Sequence, residues 1–396
     1  TLGATITLAA PGGNITLGAI QSASTFNDLI VSGANTFTQT GNVGTTNVLH
    51  GYIITASNML LGGNITTNFG ITLNSPVTLT AASQLTTVLG GSVQFSNTLN
   101  GAFALTVNSA DTVNFNANVG NTTPLASITA TGTNGIVVNF GTTIFATSGA
   151  QLYNSAFSFN DAVAFSTTNS PISFASTFDS LTGIARSPSF TTGSGNVTFT
   201  GNVGSILPVG LVSITSTGTT TFTGTFTGAS LSVGTGTLVL NNNLTLSSSL
   251  QVSGGSSAVR LNNNIVVTLS GGATASFAGT VDSFNSTPRS LNISGGSQAT
   301  FSGAVGGAFA LASFGVTNSS SASFSNGVTA STIFVTSPTT NLGGVITSTL
   351  VGGTGQSYSH NVNLTSDTQL ISGLGSTISV GLLVSGSSQT LTLQSN

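Results

Sequence analysis

The sequence predicts an all-β chain wound as a single-stranded parallel β-solenoid, and three observations carry that prediction. Helix-forming charged residues are nearly gone: the 396 residues include three Lys+Arg and six Asp+Glu, with neither lysine nor glutamate present. Apolar residues recur in short period-two pairs such as Leu231/Val233, Leu238/Leu240, Leu244/Leu246 and Leu250/Val252. The text then resembles itself at a spacing of about 22 residues, the mark of stacked coils.

The strands come first. Gly, Ser, Thr and Asn dominate every window and all weaken helices. Pairs separated by six or seven residues are too closely punctuated for a sandwich, where turns fall about every 8–12 residues. Three such strands close one coil, which gives about 18 coils of roughly 22 residues with no second globular domain.

The corners follow from the repeats. Leu238-Val239-Leu240-Asn241-Asn242-Asn243-Leu244-Thr245-Leu246 returns as Val259-Arg260-Leu261-Asn262-Asn263-Asn264-Ile265-Val266-Val267, an offset of 21 residues. Stacking at roughly 4.8 Å would set the two Asn runs above one another as amide ladders. A longer motif joins an aromatic strand to a glycine turn: Phe115 to Gly120, Phe199 to Gly204 and Phe301 to Gly306, with a looser copy from Phe37 to Gly44. Phenylalanines of successive coils are therefore expected to stack inside.

Composition limits function. A typical soluble domain is about a quarter charged; this chain is 2% charged with net charge −3, so its surface is Ser, Thr, Asn and Gly. Stacked like charges would repel at the rung spacing, which accounts for the shortage. Three arginines cannot make a phosphate-binding footprint, so nucleic acid is excluded as a partner. There is no cysteine to bridge or to bind metal. The longest apolar run, Ala308 to Ala312, is far short of the roughly 20 residues of a membrane span.

The repeat texture runs through residues 1–396 as one continuous solenoid, less regular over 50–90. Both ends read as strands, through Thr5, Ile6 and Leu8 at one end and Thr390, Leu391 and Leu393 at the other. Neither carries a capping segment. These terminal rungs are expected either to pair with another subunit or to mark a cut from a longer solenoid.

Gly195 to Gly204 (Gly-Asn-Val-Thr-Phe-Thr-Gly-Asn-Val-Gly) and Thr123 to Thr129 (Thr-Pro-Leu-Ala-Ser-Ile-Thr) resemble the β-strand repeats of large bacterial exoproteins, the filamentous-haemagglutinin-like and autotransporter passenger β-helix proteins. The resemblance implies a secreted, surface-associated, right-handed β-helix. Neither the secretion domain nor the translocator barrel of such exoproteins is seen here.

Chemistry-bearing residues are sparse. Six dispersed aspartates give no carboxylate pair of the kind glycosidases need, and His50 and His360 lack acidic or thiol neighbours in sequence, so no enzyme, metal or cofactor is expected. One charged pattern repeats: Phe174 to Leu181 carries Asp179 and leads to Arg186, and Phe277 to Phe284 carries Asp282 and leads to Arg289. The simpler reading of Asp179/Arg186 and Asp282/Arg289 is a loop closed by a local ion pair or an Asp-capped turn. The functional one is a lateral contact between solenoids or a partner site.

The expected function is an extracellular, self-assembling filament subunit pairing head to tail with its own copies. The alternative is the stalk or passenger of a surface adhesin, with cell-surface or matrix glycans as partners. A more remote possibility, an ice-binding solenoid, is raised by Thr215-Ser216-Thr217-Gly218-Thr219 and would need a flat threonine face over many coils.

Overall fold

A computed structural model describes residues 1–24, 26–254, 257–383 and 388–395. Among them every regular element is a β-strand, and the chain winds through about 17 parallel-stacked turns. It divides into two compact units, Thr1–Gly201 and Asn202–Asn396.

In the first unit one coil runs through Ala104–Ser109, Thr112–Phe115 and a bridge at Val119. The next coil lies against it in parallel register, with Leu105 beside Ile128, Val113 beside Ile136 and Val119 beside Phe145. Alternation does the sorting: Leu105, Val107, Val113 and Phe115 point inward and are buried, with Ser109 continuing the buried face, while Thr106, Asn108 and Asn114 are partly exposed. Apolar side chains therefore meet between coils, and in places a phenylalanine meets a phenylalanine. Phe95 stacks on Phe115 with centroids 5.3 Å apart and planes 3° from parallel, and Phe174 stacks on Phe199 at 5.3 Å and 5°.

The less regular text at 50–90 is also coiled. Its strand Tyr52–Leu61 is long enough to pair at one end with Ile71–Leu73 and at the other with Val77–Leu79, so it turns a corner without the usual Gly signal.

In the second unit Thr237–Leu240 pairs with Ala258–Leu261, placing Leu238 beside Val259 and Leu240 beside Leu261 as the 21-residue repeat predicts. Beyond the Asn corner the register differs from the repeat. Leu244 faces Val267 and not Ile265, so the offset grows to 23 residues. A slip of two residues keeps every side chain on its own face, and Asn243 holds it by accepting a 2.8 Å hydrogen bond from the Val266 N–H. Phe301 lies between Phe277 at 4.7 Å and Phe324 at 5.7 Å, with Phe314 edge-on at 5.0 Å.

The glycine that ends each aromatic motif has a steric cause. Gly44, Gly120, Gly204 and Gly306 share a left-handed φ of 68–70°. A Cβ on Gly120 would lie 2.1 Å from the Ala146 carbonyl oxygen, and one on Gly306 would lie 2.0 Å from that of Thr329. The turn must let the next coil's backbone pass at a distance only glycine permits.

Candidate functional site: interface loops and rung edges

What joins one rung to the next is a recurrent clasp. A corner side chain accepts a hydrogen bond from a backbone N–H one coil later: Asn42 from Asn64, Asn64 from Gln84, Asn118 from Thr143 and, in the second unit, Asn202 from Thr225. At the last such corner Asp367 takes the role, accepting from the Thr390 N–H at 2.8 Å and its hydroxyl at 3.0 Å, which holds the Asp367 carboxyl below the usual carboxylate range. Amide ladders add to it, as expected at the Asn runs, where Asn262 Nδ2 donates to Asn241 Oδ1 at 2.7 Å. A second ladder, which the sequence did not point to, links Asn116, Asn139, Asn160 and Thr182.

All three tyrosines do one job that sequence reasoning missed. Tyr52, Tyr153 and Tyr358 are buried, and each hydroxyl donates to a buried glutamine, Gln39, Gln151 or Gln356, at 3.0–3.2 Å. Each glutamine amide in turn donates to backbone carbonyls of different coils, as Gln356 does to Ile346 and Ile371. Burial drives all three phenol pKa values upward. The signal was present as Gln-x-Tyr at 151–153 and 356–358.

The repeated Asp/Arg loops are organised differently from a local ion pair. Asp282 is 1% exposed. One of its oxygens meets Arg260 of the adjacent strand at 2.8 Å, and the other accepts from the N–H groups of Ala308 and Phe309. Arg260, not Arg289, is its partner, because parallel register sets residues 260 and 282 side by side. The loop is closed by serine: Ser283 Oγ accepts from the Arg289 N–H at 2.9 Å, and Ser180 Oγ accepts from the Arg186 N–H at 3.0 Å. Asp179 is likewise buried, at 2% exposure. Of the two repeated pairs only Arg186 and Arg289 reach solvent, and neither arginine has an ion-pair partner among the described residues.

At the ends, Ile6–Ala9 pairs with Leu29–Ser32, leaving Thr5 exposed and Ile6 and Leu8 half-buried. Leu391–Ser395 pairs with Thr368–Ser372, with Thr390 exposed, Leu391 half-buried and Leu393 60% exposed. His50 has an acidic neighbour after all: its Nδ1 lies 2.8 Å from Asp28 Oδ1, and its ring packs 4.6 Å from Phe69. Asp28 lies one coil earlier, so adjacency in sequence could not reveal it. His360 is exposed.

The outward face of the second unit carries two polar columns, for example Ser249/Gln251, Thr274/Ser276, Gln298/Thr300 and Ser321/Ser323 on successive rungs. Hydroxyls and amides are mixed in these columns. Among the described residues no three His, Asp, Glu or Cys side chains cluster as metal ligands, and no helix is long and apolar enough to cross a membrane. No protein-family model, no curated protein and no solved structure matches the chain.

Proposed function

We propose that the protein is an exported structural solenoid that assembles by adding the rungs of one copy to those of another, head to tail. The observation that carries this reading is the uniform bonding between rungs. Asn clasps, Phe stacks and parallel ladders recur between coils, so one rung edge can be complementary to another. The strand Leu391–Ser395, paired with Thr368–Ser372, turns Leu393 to solvent, and that side chain would be covered by an added rung. An extracellular setting suits a surface with only three tryptic bonds and almost no charge, and it agrees with the resemblance to exoprotein repeats.

Electron microscopy and sedimentation of the natively purified chain test the reading. Uniform filaments with one axial repeat are expected, and Leu393→Asp should abolish them. Dispersed monomers at every concentration would overturn it. A second reading, the stalk or passenger of an adhesin, is favoured by one observation. Exposed Phe284 and Phe309 lie on two loops locked together through Asp282 and Ser283, with Arg289 beside them. Cell-surface or matrix glycans would be the partners tested there.

A further inference from the structure

One corner of the first unit combines a side-chain ladder, exposed apolar residues and charge. The ladder from Asn139 through Asn160 to Thr182 stacks three consecutive loops, near residues 139–143, 160–163 and 181–188. They carry Phe140 and Ile184, each 61% exposed, and Leu181, also exposed. On a surface made mostly of Ser, Thr, Asn and Gly, a group of exposed apolar side chains on stacked loops is a candidate interaction site.

Two charges of opposite sign reach the surface at this corner, Arg186 and Asp161, with Asp179 buried on the adjacent strand Phe178–Ser180, and neither surface charge makes an ion pair among the described residues. The Arg186 guanidinium lies 5.5 Å over the Phe140 ring, and its Nε is buried without a hydrogen-bond partner among the described residues. Asp161, on the loop between, accepts only from backbone, the Ala162 N–H at 2.9 Å and the Gly141 N–H at 3.3 Å. Arg260 and Asp282 show what a satisfied pair looks like in this chain, at 2.8 Å on adjacent strands.

We propose that this corner is a lateral contact with a second copy of the chain, related by a two-fold axis. A patch bearing one cation, one anion and an apolar centre is complementary to itself: Arg186 of each copy meets Asp161 of the other, and Phe140, Leu181 and Ile184 are covered between them. A corner is small beside a standard interface of about 800 Å² per partner, so the contact is weak and salt-sensitive. It is independent of the rung-edge association proposed above.

Sedimentation velocity on the full chain, in low and high salt, tests the proposal, with Leu393→Asp included to remove rung-edge assembly. In that background a concentration-dependent dimer is expected, weakening in high salt. Arg186→Asp and Asp161→Arg should each reduce association at least tenfold. The double variant should restore it, since a two-fold contact then only exchanges its signs. Circular dichroism verifies folding, and Arg186→Gln replaces Arg186→Asp if that variant does not fold. A pair confined to one copy would leave sedimentation unchanged by either reversal. That result, a monomer throughout, or failure of the double variant to restore the dimer would overturn the proposal.

Discussion

Removing the Phe301 ring tests the stacked interior directly. Phe301 is buried between Phe277 and Phe324, with Phe314 edge-on. Burying a phenylalanine contributes about 1.5–3 kcal/mol by transfer alone. Truncation to alanine also leaves a cavity that parallel ladders on both sides prevent from collapsing, so Phe301→Ala should cost about 3–5 kcal/mol. Phe301→Asp should cost more, because an unpaired carboxylate would be placed between rungs. Outward-facing Thr300, which sits between Ser276 and Ser323, is the control, and Thr300→Ser should stay within about 0.5 kcal/mol. Urea unfolding followed by far-ultraviolet circular dichroism gives the comparison. A Phe301→Ala change below about 1 kcal/mol would refute the inward register and the stacking argument built on it.

Three further outcomes follow from particular contacts. Gly306→Ala should destabilise by at least about 1–2 kcal/mol, because φ of 68° and the Thr329 carbonyl both oppose a Cβ, whereas exposed Gly12 offers that atom open space and should lose less; thermal melts of the two variants decide this. Asp282→Asn should cost roughly 2–3 kcal/mol by removing the anion from Arg260, a value kept low because Arg260 is partly solvated; if the urea midpoint does not move, Asp282 does not anchor the loop at 306–310. The tyrosines give a pH signature. Below about pH 10 the phenols are neutral in folded and unfolded chains alike, so their contribution is fully present. Above it only the unfolded chain ionises, and each buried tyrosine lowers stability by about 1.4 kcal/mol per pH unit until the raised folded pKa is passed. Absorbance at alkaline pH should therefore show all three ionising with unfolding; gradual ionisation near pH 10 in a folded chain would contradict their burial.

The sequence by itself determined the coil. A period of two within strands, a period near 22 between them and the loss of charge admit few shapes other than stacked parallel rungs, because each face must bury the same residue type above itself. Phe301, the Asn corners and the Val-Gly turns were all legible for that reason. What only the tertiary structure decided were pairings set by register one coil away: Arg260 with Asp282 in place of a local partner, His50 with Asp28, and the two-residue slip that moved Leu244 from Ile265 to Val267. Coil length varies by a few residues at each loop. A side chain's neighbour on the next rung is therefore fixed by the accumulated length of the turns between them, and by the hydrogen bonds that close each loop, which no local pattern records.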